Sequence, residues 1–123
     1  MSDILIVDDN EDIRELFTLI FEDEDYSVKG AESGEDAIAL LESGETFKLI
    51  LMDVTLGCGM CGLDTTEKIR SNPAWRDIPI IAVTGLTSPE DEAKARAKGC
   101  NGILKKPVDD ETLIRVARDF IGS

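Results

Sequence analysis

Residues 4–10 read Ile4-Leu5-Ile6-Val7-Asp8-Asp9-Asn10. The first four side chains are apolar without alternation, so an extended segment here must bury both of its faces. That is the pattern of a parallel strand held between two helical layers, whereas an antiparallel strand with one wet face would alternate. The run stops at two aspartates, and Asn10 is placed to cap a helix.

The same unit recurs along the chain. Leu49–Met52, Ile78–Val83 and Gly102–Leu104 are further apolar runs, and Tyr26–Lys29 is a weaker, more alternating one suited to a sheet edge. Helical patterns separate them. Ile13, Leu16, Phe17, Ile20 and Phe21 follow i, i+3, i+4, i+7, i+8 spacing and predict a buried face on a first helix. Ser33 opens a second, with Asp36 as capping-box partner and Ile38 and Leu41 inward. Leu63–Arg70 is a third. Ser88-Pro89-Glu90-Asp91 starts a fourth, Ala-rich helix that ends at Gly99. A fifth follows Pro107, capped by Asp109, with Leu113, Val116, Ala117 and Phe120 facing inward. Five β-α units predict an α/β fold: a doubly wound, flavodoxin-like five-stranded parallel sheet in the order 2-1-3-4-5. Residues 1–123 are expected to form one domain, since 13.4 kDa is too little for two well-cored ones.

Composition narrows the function. The 26 acidic residues outnumber the 13 basic ones, which gives a net charge of −13 with no histidine. Such a surface disfavours nucleic-acid backbones and anionic membranes. Zero histidine excludes His-based triads and His-ligated zinc. No apolar run approaches the roughly 20 residues of a membrane span, and residues 1–7 lack the basic region and apolar length of a signal peptide. A cytoplasmic location is expected, and three cysteines suit a reducing compartment.

Each strand is followed by something polar: Asp8 and Asp9 after the first, Asp53 after the third, Thr84 after the fourth, Lys106 and Pro107 after the fifth. In a doubly wound sheet these all reach the carboxyl edge, where ligands bind near the switch between strands 1 and 3. Lys106 rather than Lys105 is the candidate, because successive strand side chains point to opposite faces and Lys106 precedes the proline. Two carboxylates about 4 Å apart repel by roughly 4 kcal/mol at an effective dielectric near 20. Three such groups need a shifted pKa or a divalent cation. All-oxygen ligands favour a hard ion, Mg²⁺ before Ca²⁺. An aspartate beside Mg²⁺, a lysine and a threonine can accept a phosphoryl group, the cations neutralising its equatorial oxygens while Asp53 attacks in line.

These residues together resemble the receiver domain of two-component response regulators, over nearly the whole chain. The resemblance implies that Asp53 is the phosphoacceptor and takes its phosphoryl group from a phosphohistidine on a histidine kinase or histidine phosphotransfer protein. It implies Mg²⁺ held directly by Asp9, Asp53 and the backbone carbonyl of Thr55, with Asp8 acting mainly through water. Thr84 and Lys106 would contact the phosphoryl group, and the Lys106–Pro107 bond would be cis. Thr55 and Leu86 would tune water access. Helix 1 would dock the donor, and the helix 4–strand 5–helix 5 face would carry the output to a downstream protein. A receiver of this kind is a switch rather than an enzyme acting on a separate substrate.

The chain departs from that pattern in three places. Ile103 stands where receivers carry an aromatic switch residue coupled to Thr84. The loop after Asp53 reads Leu56-Gly57-Cys58-Gly59-Met60-Cys61-Gly62, one residue longer than usual and without the usual proline. It also places Cys58 and Cys61 in C-x-x-C spacing beside the site. Two alternatives follow: a haloacid-dehalogenase-like phosphohydrolase, and a redox or zinc module on Cys58 and Cys61. The first usually has a second aspartate where Thr55 stands. The second has too few ligands, since Cys100 is expected to be buried near strand 5. A dinucleotide site is disfavoured by the absence of G-x-G-x-x-G after the first strand.

Overall fold

The first strand ends where its apolar run ends, the third, fourth and fifth reach one polar residue further, and the helices begin at side chains able to cap them. In the computed structural model, which describes residues 3–54, 61–85 and 88–122, the strands are β1 (Ile4–Val7), β2 (Val28–Ala31), β3 (Leu49–Asp53), β4 (Ile80–Thr84) and β5 (Gly102–Lys105). The helices are α1 (Glu11–Asp23), α2 (Gly34–Glu42), α3 (Gly62–Arg70), α4 (Pro89–Ala97) and α5 (Asp110–Ile121), with a 3-10 turn at Pro73–Trp75. The five strands are parallel in the order β2-β1-β3-β4-β5. Among the described residues no helix is long and apolar enough to cross a membrane.

Strand alternation divides the core into two layers. Leu5, Val7, Ile50, Met52, Ile80 and Ala82 face α2, α3 and α4, where Ile38, Leu41, Ile69 and Ala95 meet them. Ile4, Ile6, Leu49, Leu51, Ile81 and Val83 face α1 and α5, where Phe17, Phe21, Leu113 and Ala117 pack. Burying one such side chain contributes about 1.5–3 kcal/mol, which is why runs apolar on both faces settle in the sheet centre.

The caps explain the helix starts. Asn10 accepts from the Ile13 amide, Ser33 from the Asp36 amide and Asp109 from the Thr112 amide. Ser88 and Asp91 form a reciprocal capping box at α4. Gly99 closes α4 at φ +110°, a left-handed conformation that favours glycine.

Four expectations shift. The second strand begins at Val28 instead of Tyr26, because Tyr26 turns inward after Asp25 (φ +68°), sets its ring edge-on to Phe21 and donates its hydroxyl to the Gly122 carbonyl. The fourth strand begins at Ile80, after Pro79, and runs through Thr84. Leu16 is 53% exposed and Phe120 40% exposed, so neither faces inward. Both lie at the margin of an apolar stripe whose centre, Phe17 and Phe21 on α1 and Leu113 and Ala117 on α5, already fills the layer.

The two flanks of α1 should therefore respond differently. Phe21→Ala should lower the unfolding free energy by about 3–5 kcal/mol in urea titrations. Leu19→Ala, at a position 66% exposed, should stay within about 0.5 kcal/mol of the parent.

Candidate functional site

Parallel register delivers the polar strand ends to one edge. Val7 pairs with Met52 and Asp53 with Val83, so Asp8, Asp9 and Asp53 leave neighbouring strands side by side. Carboxylate oxygens of the three lie within 4.8 Å of one another. Asp8 and Asp53 are buried and Asp9 is exposed, which leaves the cluster a face to solvent. Lys106 comes from beyond β5. Its amide donates to the Thr84 carbonyl at 2.8 Å, and its Nζ lies 3.2 Å from Asp53 Oδ1 and 3.5 Å from Asp8 Oδ2. The Lys106–Pro107 peptide is cis. Lys105 stays in β5, paired with Thr84, and is exposed.

Three carboxylates against one ammonium leave a formal charge of −2, which is the charge a divalent cation cancels. The donors are all oxygen, so the set fits a hard cation that keeps part of its water shell. Burial pushes the Asp8 carboxyl above its ordinary range, and the Asp53 charge adds to that rise. The Asn10 amide, which donates to Asp8 Oδ1 at 2.9 Å, and Lys106 pull the other way.

Thr84 is buried at the end of β4. With Val54, Leu63, Ala95 and Ile103 it borders a cavity of about 140 Å³ beneath α4. Thr84 and Ile103 thus share one small space, although Ile103 is aliphatic. Thr55, Leu86 and Cys58 lie outside the described residues. Cys61 caps α3, its Sγ accepting from the Asp64 amide at 3.4 Å, so this thiol already has a structural task. Cys100 is buried as expected, and burial pushes its thiol up.

Two contributors escaped the sequence reading. Arg14 donates from Nη1 to the Asp8 carbonyl at 2.7 Å and ties α1 to the acidic edge. It is the first cation in the chain, set among Glu11, Asp12 and Glu15, and that isolation was the available signal. Gly62 packs on the backbone of Asp53, where an added Cβ would collide with the Asp53 carbonyl. Its amide donates to the Val54 carbonyl at 3.3 Å. The clue was a glycine at the first position of a helix, just after the loop that follows Asp53.

A doubly wound domain with acids at its switch point and a lysine just beyond its last strand defines a class of proteins that bind their ligands at the sheet's carboxyl edge. Comparison with known proteins specifies it. Residues 4–118 match the response regulator receiver domain family, and the chain belongs to that family. The polar-differentiation response regulator DivK of Brucella ovis is 32% identical over 97% of this chain and 95% of its own length. A 14.6 kDa protein encoded 3′ of sodA1 in Leptolyngbya boryana is 37% identical over 96% of this chain and 88% of its length. Among solved structures, the Vibrio cholerae chemotaxis protein CheY4 superposes with a TM-score of 0.90 at 30% identity, covering 98% of this chain and 99% of its own. The chain is a receiver domain of phosphorelay signalling, a module that interacts with sensor kinases and downstream targets.

Two measurements probe the site's construction. A carboxyl whose pKa is raised on folding, here chiefly by burial, costs stability once it ionises, and that cost grows as pH rises through the raised pKa. Asp8→Asn should therefore raise the melting temperature at pH 7 in metal-free buffer, and the difference should shrink as pH falls through the raised pKa. Gly62→Ala should cost about 1–3 kcal/mol in urea unfolding, because the Asp53 backbone must move to admit a methyl group.

Proposed function

We propose that Asp53 accepts a phosphoryl group from a phosphohistidine on a histidine kinase or histidine phosphotransfer protein, with Mg²⁺ at the site. The observation that carries this reading is the ammonium of Lys106 at 3.2 Å from Asp53 Oδ1 inside a three-carboxylate cluster. Asp9 and Asp53 would supply carboxylate oxygens to the ion and Thr55 a backbone carbonyl, with Asp8 acting mainly through water. Mg²⁺ supplies neutralisation of charge on the transferring group.

Asp53 contributes an oxygen that forms a bond to phosphorus while the bond from phosphorus to the donor's imidazole nitrogen breaks, and the electron pair leaves with that nitrogen. Lys106 moves from pairing carboxylates to holding a phosphoryl oxygen, and Thr84 donates its hydroxyl to another. Thr84 then draws toward the new group, and Ile103, across the shared cavity, takes the place of an aromatic as the switch residue. The face made by α4, β5 and α5 carries that change to a downstream protein, while α1 meets the donor. Thr55 and Leu86 set the access of hydrolytic water. Neither nucleic acid nor membrane is a direct partner, which the charge of −13 supports, and the protein works in the cytoplasm as a switch that catalyses only its own phosphorylation and dephosphorylation.

Phosphoramidate carries the same kind of P–N bond as a phosphohistidine. Incubation with it and Mg²⁺ should give an alkali-labile phosphoryl adduct in the intact mass. The adduct should be absent in Asp53→Asn and on chelation, and should form at least about 100-fold more slowly in Lys106→Ala. An adduct that persists in Asp53→Asn would refute the assignment.

A further inference from the structure

The charge of this protein is one-sided. Residues 1–53, from the N-terminus to the end of β3, hold 16 of the 26 acidic and 3 of the 13 basic residues, and so carry the whole net charge of −13. From residue 54 onward acids and bases balance. The sheet order places this charged half at the β2 edge, because β2 is outermost and α1 and α2 flank it.

Two open grooves run along that edge, with volumes of about 510 and 520 Å³. Arg14 and Gly30 line both. One groove continues onto Asp36 and Leu40 of α2, the other onto Glu15 and Leu19 of α1. Between them Lys29 and Gly30 are exposed, and among the described residues no strand lies beside the outward edge of β2. Gly30 presents no side chain, and the stem of Arg14 lies over its inner face, with the guanidinium engaged at the Asp8 carbonyl. Leu19, 66% exposed, supplies an apolar contact. Acids form the rim, with Glu11 and Glu15 on one side and Glu32 and Asp36 on the other.

We infer that this double groove docks a cationic, extended segment of a partner protein beside β2. Strand addition to an exposed edge gives backbone hydrogen bonds, and the acidic rim selects lysine- and arginine-rich sequence. A second copy of this chain would bring the same negative edge to itself, and nucleic acid or an anionic lipid surface would be repelled. The groove uses the flank of α1 turned toward β2, whereas Ile13 and Ile20 pack with the layer shared with α5. The site includes none of the side chains proposed for phosphoryl transfer, although it shares α1 with the face proposed to meet the donor.

The probe is a soluble peptide of alternating lysine and valine, titrated into the ¹⁵N-labelled full chain, with an alternating glutamate–valine peptide as control. Saturable amide shifts should centre on Lys29, Gly30 and Ala31 and on the adjoining α1 flank. Glu15→Lys with Glu32→Lys should weaken binding about tenfold or more, and Glu15→Gln with Glu32→Gln should weaken it less. Glu92→Lys with Asp119→Lys, an equal change of net charge away from β2, should leave affinity within about twofold. The inference is overturned if the peptide does not bind, if the shifts spread over acidic surface away from β2, if the distant reversals weaken binding equally, or if the glutamate–valine peptide binds as well.

Discussion

The repulsion among Asp8, Asp9 and Asp53 is the constraint around which the molecule is arranged. Three carboxylates whose oxygens lie within 4.8 Å of one another would push adjacent strand ends apart if nothing opposed them. What opposes them is structural on every side. The sheet centre is dry on both faces and fixes the register of β1 against β3. Lys106 reaches in from the far strand, and the Asn10 amide and the Arg14 guanidinium hold the two ends of Asp8. Hydrophobic burial of Ile4–Val7 and Leu49–Met52 thus offsets an unfavourable electrostatic arrangement at the edge. Burial, with the Asp53 charge adding to it, raises the Asp8 pKa.

This arrangement explains which parts of the molecule were legible in the sequence. Strand ends are legible because a parallel strand buried on both faces must be apolar throughout, so the first polar residue marks the edge. Asp8, Asp53 and Thr84 announce themselves in that way, whereas Lys106 follows Lys105 and is picked out by strand alternation and by Pro107. Caps are legible because Asn10, Ser33, Ser88 and Asp109 satisfy their helices through bonds three residues long. Leu16 and Phe120 are not, because helical spacing gives the direction of an apolar stripe but not its width. The margin is decided by what lies opposite, and Phe17, Phe21 and Leu113 leave no room there.

Close approach is the other thing spacing does not carry. Gly62 matters through contact with the Asp53 backbone, and Gly34 matters because a methyl group there would collide with Thr65 Oγ1 between α2 and α3. Arg70 belongs to the same group. It gathers the carbonyls of Gly99, Trp75 and Arg76 and the side chain of Asn101, which itself accepts from the Ile80 amide. One guanidinium therefore joins the end of α3 to the entries of β4 and β5, a role that depends wholly on the finished topology.

The helices are not held equally. α1, α2, α3 and α5 each bury at least two residues in a core layer, whereas α4 buries Ala95 alone. Its integrity rests on the Ser88–Asp91 box, on Pro89, and on acids and bases distributed along its dipole. Local interactions of that sort are the same wherever the helix sits, so they preserve its shape without fixing its seat. Below it lies the small void between Thr84 and Ile103. A helix that is rigid in itself yet lightly moored is cheap to slide as a unit, and a sub-ångström pull at the end of β4 can become a displacement of a whole exposed surface.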